Sequence, residues 1–114
     1  MAADTDARIL DHLFALIESR RGGDRESSYT ARLLDEGRER IARKVGEEAV
    51  EVVVAALSDR DRIAAESADL LYHLLVLWAD ARLRPVDVWM ELARRQGVSG
   101  LAEKAARGHD GPAD

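Results

Sequence analysis

Between Ile63 and Ala79 the chain is apolar in nearly every direction around a helix, since Ile63, Leu70, Leu71, Leu74, Leu75, Val76, Leu77 and Trp78 cover most of its circumference. A helix of that kind is buried on several sides, so it must stand at the centre of whatever packs around it. Yet Glu66, Asp69 and His73, spaced three and then four residues apart, draw one polar line down it. Ionised carboxylates buried without partners cost several kcal/mol. They must therefore be paired with cations, protonated, or bound to a metal. The same acids interrupt the run short of the ~18 consecutive apolar residues of a bilayer span, so the segment reads as a buried helix of a soluble chain.

A chain of 114 residues has room for one hydrophobic core. Its only prolines are Pro85 and Pro112, and no stretch alternates apolar and polar residues long enough to support a strand. The fold class is therefore all-α, an antiparallel bundle of four to five helices. The first helix is expected over 6–19 with Thr5 or Asp4 as N-cap and an apolar face of Ile9, Leu10, Leu13, Phe14, Leu16 and Ile17. A loop over 20–28 leads to a short helix over 29–36, capped by Ser28 and closed by Gly37. Long helices follow over 38–57 and 60–82. Ser58 to Asp61 between them resembles a capping box with Asp in place of Glu. So short a connection makes an antiparallel hairpin. Pro85 starts a last helix over 85–95, before Gly97. Residues 1–107 read as one domain and 108–114 as a disordered tail.

Twenty-two acidic against 17 basic residues give a net charge of −5, which disfavours nonspecific nucleic-acid binding. Any polyanion must be met by local Lys or Arg, or through a bound cation. The absence of cysteine excludes thiolate zinc sites and cysteine nucleophiles. The polar, acidic N-terminus is unlike a secretory signal, so the expected location is the cytoplasm and no membrane partner is implied.

On the helix over 38–57, Ile41, Val45, Val52 and Ala55 form the core stripe with Glu48 in its middle, where an aliphatic side chain belongs. Glu51 lies at the edge of that face, Lys44 one turn before Glu48, and Glu47 on the other flank. At 1.5 Å per residue from the hairpin turn, Glu51 and Asp69 stand at roughly 13 to 14 Å along their helices, with Glu48 and Glu66 about a turn away. Glu48, Glu51, Glu66 and Asp69 thus converge, with Lys44 the one obvious cation on that face. A hard divalent cation resolves the conflict, and all-oxygen ligation favours Mg²⁺, or Mn²⁺, over zinc. Mg²⁺ also bridges carboxylates to substrate phosphates. His73 reads as a satisfied core histidine, outside the site, and the fully apolar helix implies burial in a dimer.

Three segments, Ser28-Tyr29-Thr30-Ala31-Arg32-Leu33-Leu34, 41–52 and 66–77, resemble the phosphoribosyl-ATP pyrophosphohydrolase family of histidine biosynthesis, within the MazG-like all-α nucleotide pyrophosphohydrolases. The pairs Glu48/Glu51 and Glu66/Asp69 match the wider superfamily; 28–34 and 70–77 narrow it to the histidine branch. The resemblance implies cleavage of the α–β phosphoanhydride of phosphoribosyl-ATP with Mg²⁺, in a helical homodimer and a stand-alone form. It assigns metal ligation to Glu48, Glu51, Glu66 and Asp69, proton acceptance to Glu47 or Glu51, and phosphate contacts to Lys44, Arg32 and Arg43. The segment 97–107 resembles a tail of some stand-alone members, in which Lys104 and Arg107 either reach a phosphate or cap the bundle. A house-cleaning or dUTP-type pyrophosphohydrolase would keep the same carboxylates with free nucleotides as substrates. A noncatalytic helical module would use the acidic line for a basic partner.

Overall fold

The hairpin expected between the two long helices is the spine of the molecule. A computed structural model of the chain describes residues 5–96 and Lys104. Among the described residues there is no strand; the helices are α1 (Arg8–Ser19), α2 (Tyr29–Glu36), α3 (Arg38–Ser58), α4 (Ile63–Asp80) and α5 (Pro85–Arg95). The expected tail lies outside the described residues. No helix among them is long and apolar enough to cross a membrane.

Capping residues decide where each helix starts. Ser28 Oγ accepts the Ala31 N–H at 3.0 Å and opens α2 as expected. Gly37 then ends α2 and begins α3 in a single residue. Its N–H reaches the Leu33 carbonyl while its own carbonyl accepts from Ile41, both at 3.1 Å, and its φ of 99° suits glycine. Two expected starts move. At α1 the capping position is Ala7, with no side-chain cap, because Asp6 turns to the Arg8 N–H at 2.9 Å and to its guanidinium. At the hairpin, Ser58 stays in α3 and donates to the Val54 carbonyl, so it cannot cap the next helix. Asp59 takes that role, accepting the Asp61 N–H at 3.1 Å, and a 3₁₀ turn over Arg60–Arg62 leads into α4.

The end of α4 also comes earlier than the apolar pattern suggests. Arg82, at φ 63°, leaves the helix, and the N–H groups of Arg82 and Leu83 return to the carbonyls of Ala79 and Trp78. That pair of bonds is a Schellman closure with arginine at the position usually given to glycine. Pro85 then opens α5, and the Asp87 carboxylate accepts the Arg84 N–H at 2.8 Å.

The core gathers Ile17 of α1, Leu33 of α2, Ile41 of α3 and Leu75, Val76 and Ala79 of α4. As its all-round apolar character requires, α4 packs against α1, α2 and α3. Trp78 meets Trp89 of α5 edge to face, 5.9 Å between centroids. Arg38 on Asp80, at 2.5 Å, ties the start of α3 to the end of α4. Within the single chain, however, the expected apolar positions Ile9 and Leu16 on α1 and Leu71 on α4 face outward, and so do Val50, Val53, Val54 and Leu57 on α3, outside its expected core stripe.

Candidate metal and phosphate site

Lys44, Glu47, Glu48, Val50 and Glu51 of α3 face Glu66 and Asp69 of α4 across a cleft of about 630 Å³. Antiparallel packing of the two helices brings the four expected carboxylates to one space, as the distances counted from the turn require. Their environments differ. Glu48 and Glu66 keep only 16% and 13% of their side-chain area exposed, whereas Glu47 keeps 52%. Glu51 and Asp69 are exposed, and among the described residues no hydrogen bond or ion pair engages either carboxylate.

Two cations sit among these acids. Lys44 Nζ lies 3.3 Å from Glu47 Oε1 and 3.7 Å from Glu48 Oε1. Its hydrogen bond to Glu47, assisted by the nearby oxygens of Tyr29, Glu47 and Glu48, holds the ammonium pKa above its ordinary value despite some burial. Arg62, from the 3₁₀ turn, bonds Glu66 Oε2 at 2.9 Å. Arg62 is absent from the expected site, although its four-residue spacing from Glu66 is the ordinary signature of a helical ion pair.

Five carboxylates against one ammonium line the cleft, so it carries surplus negative charge. Among the described residues no three His, Asp or Glu side chains are drawn into one metal-binding cluster. Glu47, Glu48 and Glu66 instead lean on Lys44 and Arg62. The donor chemistry nonetheless suits a hard cation, because every acidic donor is a carboxylate oxygen and Lys44 and Arg62 together offset only part of the negative charge.

The two expected phosphate-binding arginines are elsewhere. Arg32 is exposed on α2 and donates to the Arg25 carbonyl at 3.1 Å; Arg43 is exposed on α3 and pairs with Glu39 at 3.2 Å. Neither lines the cleft. His73 is buried and fully bonded, as expected of a core histidine: Nδ1 donates to the Asp69 carbonyl at 2.7 Å and Nε2 lies 3.2 Å from the Tyr29 hydroxyl. Beside it, the Tyr72 hydroxyl bonds Thr30, and burial pushes its pKa above the ordinary phenol value. Helical patterning gives no individual role to Tyr29, Thr30 or Tyr72. The signal for them is pairwise and spans two distant segments, so helical periodicity does not contain it.

The family model for phosphoribosyl-ATP pyrophosphohydrolase matches residues 10–96. A phosphoribosyl-ATP pyrophosphatase of Azospirillum brasilense is 57% identical over 109 residues, covering 94% of this chain and 98% of the relative. The protein of the same name from Paramagnetospirillum magneticum is 58% identical over 103 residues, covering 90% and 94%. That of Parvibaculum lavamentivorans is 58% identical over 109 residues, covering 95% and 98%.

Proposed function

Because the chain belongs to the phosphoribosyl-ATP pyrophosphohydrolase family, we propose that it hydrolyses the α–β phosphoanhydride of phosphoribosyl-ATP, releasing phosphoribosyl-AMP and pyrophosphate, as the second step of histidine biosynthesis in the cytoplasm. The observation that carries this reading is the cleft in which the carboxylates of α3 and α4 face one another over Lys44. A pocket so acidic does not receive a triphosphate unaided. Glu48, Glu51, Glu66 and Asp69 would hold Mg²⁺, or Mn²⁺, which when bound supplies charge neutralisation and polarises phosphate oxygens.

The remaining roles fall to this chain's own groups. Glu47 lines the cleft but lies outside the proposed ligand set, so of the two candidate bases, Glu47 and Glu51, it is the one left uncommitted to metal and able to accept a proton from attacking water. Lys44, kept charged by its neighbours, donates to phosphate oxygens while holding Glu47 in position. Arg32 and Arg43 join only on leaving Arg25 and Glu39. The functional unit is proposed to be a homodimer formed through the exposed apolar edge of α3.

Pyrophosphate release from phosphoribosyl-ATP, measured with Mg²⁺ against a panel of free nucleoside triphosphates, tests the reading. The expected result is a strong preference for phosphoribosyl-ATP and no turnover after chelation. Preference for a free nucleotide transfers the same carboxylates to a house-cleaning activity, and absence of pyrophosphate release from every substrate removes the enzymatic reading.

A further inference from the structure

Segments 28–34 and 66–77 are bonded to each other through their aromatic residues. Thr30 bonds the Tyr72 hydroxyl, and the Tyr29 hydroxyl lies 3.2 Å from His73 Nε2. Since His73 Nδ1 faces the Asp69 carbonyl at 2.7 Å, it must carry a proton. In the neutral ring Nε2 is then the acceptor, and Tyr29 donates to it. Tyr72 supports the other side of the phenol, its ring stacked on that of Tyr29 at 6.3 Å and 25° and on edge to His73 at 4.9 Å.

Tyr29 is thus fixed at its hydroxyl and along one face, yet 44% exposed. An aromatic ring held that firmly and left open is not filling a core. It offers a flat, pre-ordered apolar face to solvent, the kind of surface on which a base stacks at little entropic cost. Its position is as telling as its exposure. The bonded chain from Tyr29 through His73 ends on the backbone of Asp69, and Asp69 and Lys44 line the cleft proposed to take the phosphates.

We infer that Tyr29 is the residue on which the substrate's purine base stacks, and that His73 is its positioning residue. The inference rests on the proposed function, since it needs a nucleotide whose phosphates occupy the carboxylate cleft.

Steady-state hydrolysis of phosphoribosyl-ATP by the full chain with Mg²⁺ tests it, with inorganic tripolyphosphate as a competitive inhibitor that has no base. Loss of a stacked base predicts that Tyr29→Leu raises KM about tenfold or more, with kcat within about threefold and the inhibition constant of tripolyphosphate unchanged. Tyr29→Phe, which keeps the ring, restores most of the affinity. Tyr29→Gln keeps a hydrogen-bonding group for His73 without an aromatic face and serves if the leucine variant does not fold; it should behave as leucine does. His73→Phe should raise KM in the same direction and leave tripolyphosphate inhibition unmoved. An unchanged KM in the ring-less variants, or a loss shared equally by tripolyphosphate, overturns the assignment. Failure of the unsubstituted chain to hydrolyse phosphoribosyl-ATP overturns the proposed function itself, whereas normal hydrolysis with indifferent Tyr29 variants overturns the stacking role alone.

Discussion

Glu48 stands in the stripe that includes the fully buried Ile41 and Ala55, its side chain 16% exposed and its Oε1 3.7 Å from Lys44 Nζ. A residue retained for packing would be apolar at that place, so its carboxylate is held at a cost to stability. Glu48→Gln and Asp69→Asn preserve shape and remove one negative charge each from a cleft that holds a surplus. Activity should fall at least about 100-fold, the upper range for disturbing a metal's supporting shell. The melting temperature without metal should be unchanged or higher, because like-charge repulsion in the cleft is reduced. Turnover assays with parallel calorimetry check both, and the calorimetry should show Mg²⁺ raising the melting temperature of the unsubstituted chain but not of the variants. A second prediction concerns alkaline pH. Burial raises the Tyr72 hydroxyl above its ordinary value of 10.0, and the Glu47 hydrogen bond raises Lys44 above 10.5. Both groups hold their protons more tightly folded than unfolded. Their contribution is complete below the unfolded values and is lost as pH rises through the folded ones. The denaturation midpoint should therefore be insensitive to these groups near neutrality and fall above pH 10, with a shallower fall in Tyr72→Phe. The four proposed ligands were legible as carboxylates on an apolar face. Arg62 is legible only as one of many four-residue charge pairs, which do not single out a site, and the Tyr29–His73 bond joins distant segments and leaves no periodic trace.

At the scale of the elements, the sequence specified interiors better than ends. The extent of α2 and α5 follows directly from Ser28, Gly37, Pro85 and the apolar spacing. The starts of α1 and α4 did not, since several neighbouring acids and serines compete for one cap and local hydrogen bonds select among them. The C-terminus of α4 was overrun because an apolar pattern continues past a residue whose backbone has already turned left-handed. These two left-handed positions give opposite predictions. Gly37, with φ 99° and ψ −178°, occupies a region nearly exclusive to glycine, so Gly37→Ala should destabilise by about 1–3 kcal/mol although a methyl group there meets no atom within 4 Å. Arg82, at φ 63°, carries the strain that glycine lacks, so Arg82→Gly should stabilise by about 1 kcal/mol. Urea denaturation of the two variants beside the parent chain measures both signs. Failure of Gly37→Ala to destabilise would show that the α2 to α3 junction relaxes without loss.

At the scale of the whole molecule, the single chain leaves a problem unsolved on α3. Val50, Val53, Val54 and Leu57 recur at the spacing of one helical stripe and are 58, 55, 45 and 84% exposed. Isolated apolar residues on a surface need no explanation, but an ordered stripe over two turns is a surface made for contact. Its neighbourhood favours a second copy of the chain as the occupant. Val50 belongs both to the stripe and to the lining of the carboxylate cleft, so a partner seated there would close one flank of the proposed site and exclude water from it. Sedimentation equilibrium should accordingly give twice the 12.6 kDa chain mass at micromolar concentration. Leu57→Asp should shift that equilibrium to monomer. Because Leu57 is the most exposed of the four, the substitution removes almost no contact within one chain, so helix content by circular dichroism should persist while pyrophosphate release falls with the dimer fraction. A parent chain that sediments as a monomer while hydrolysing phosphoribosyl-ATP at full rate would separate the apolar stripe from catalysis and leave the cleft complete within one subunit.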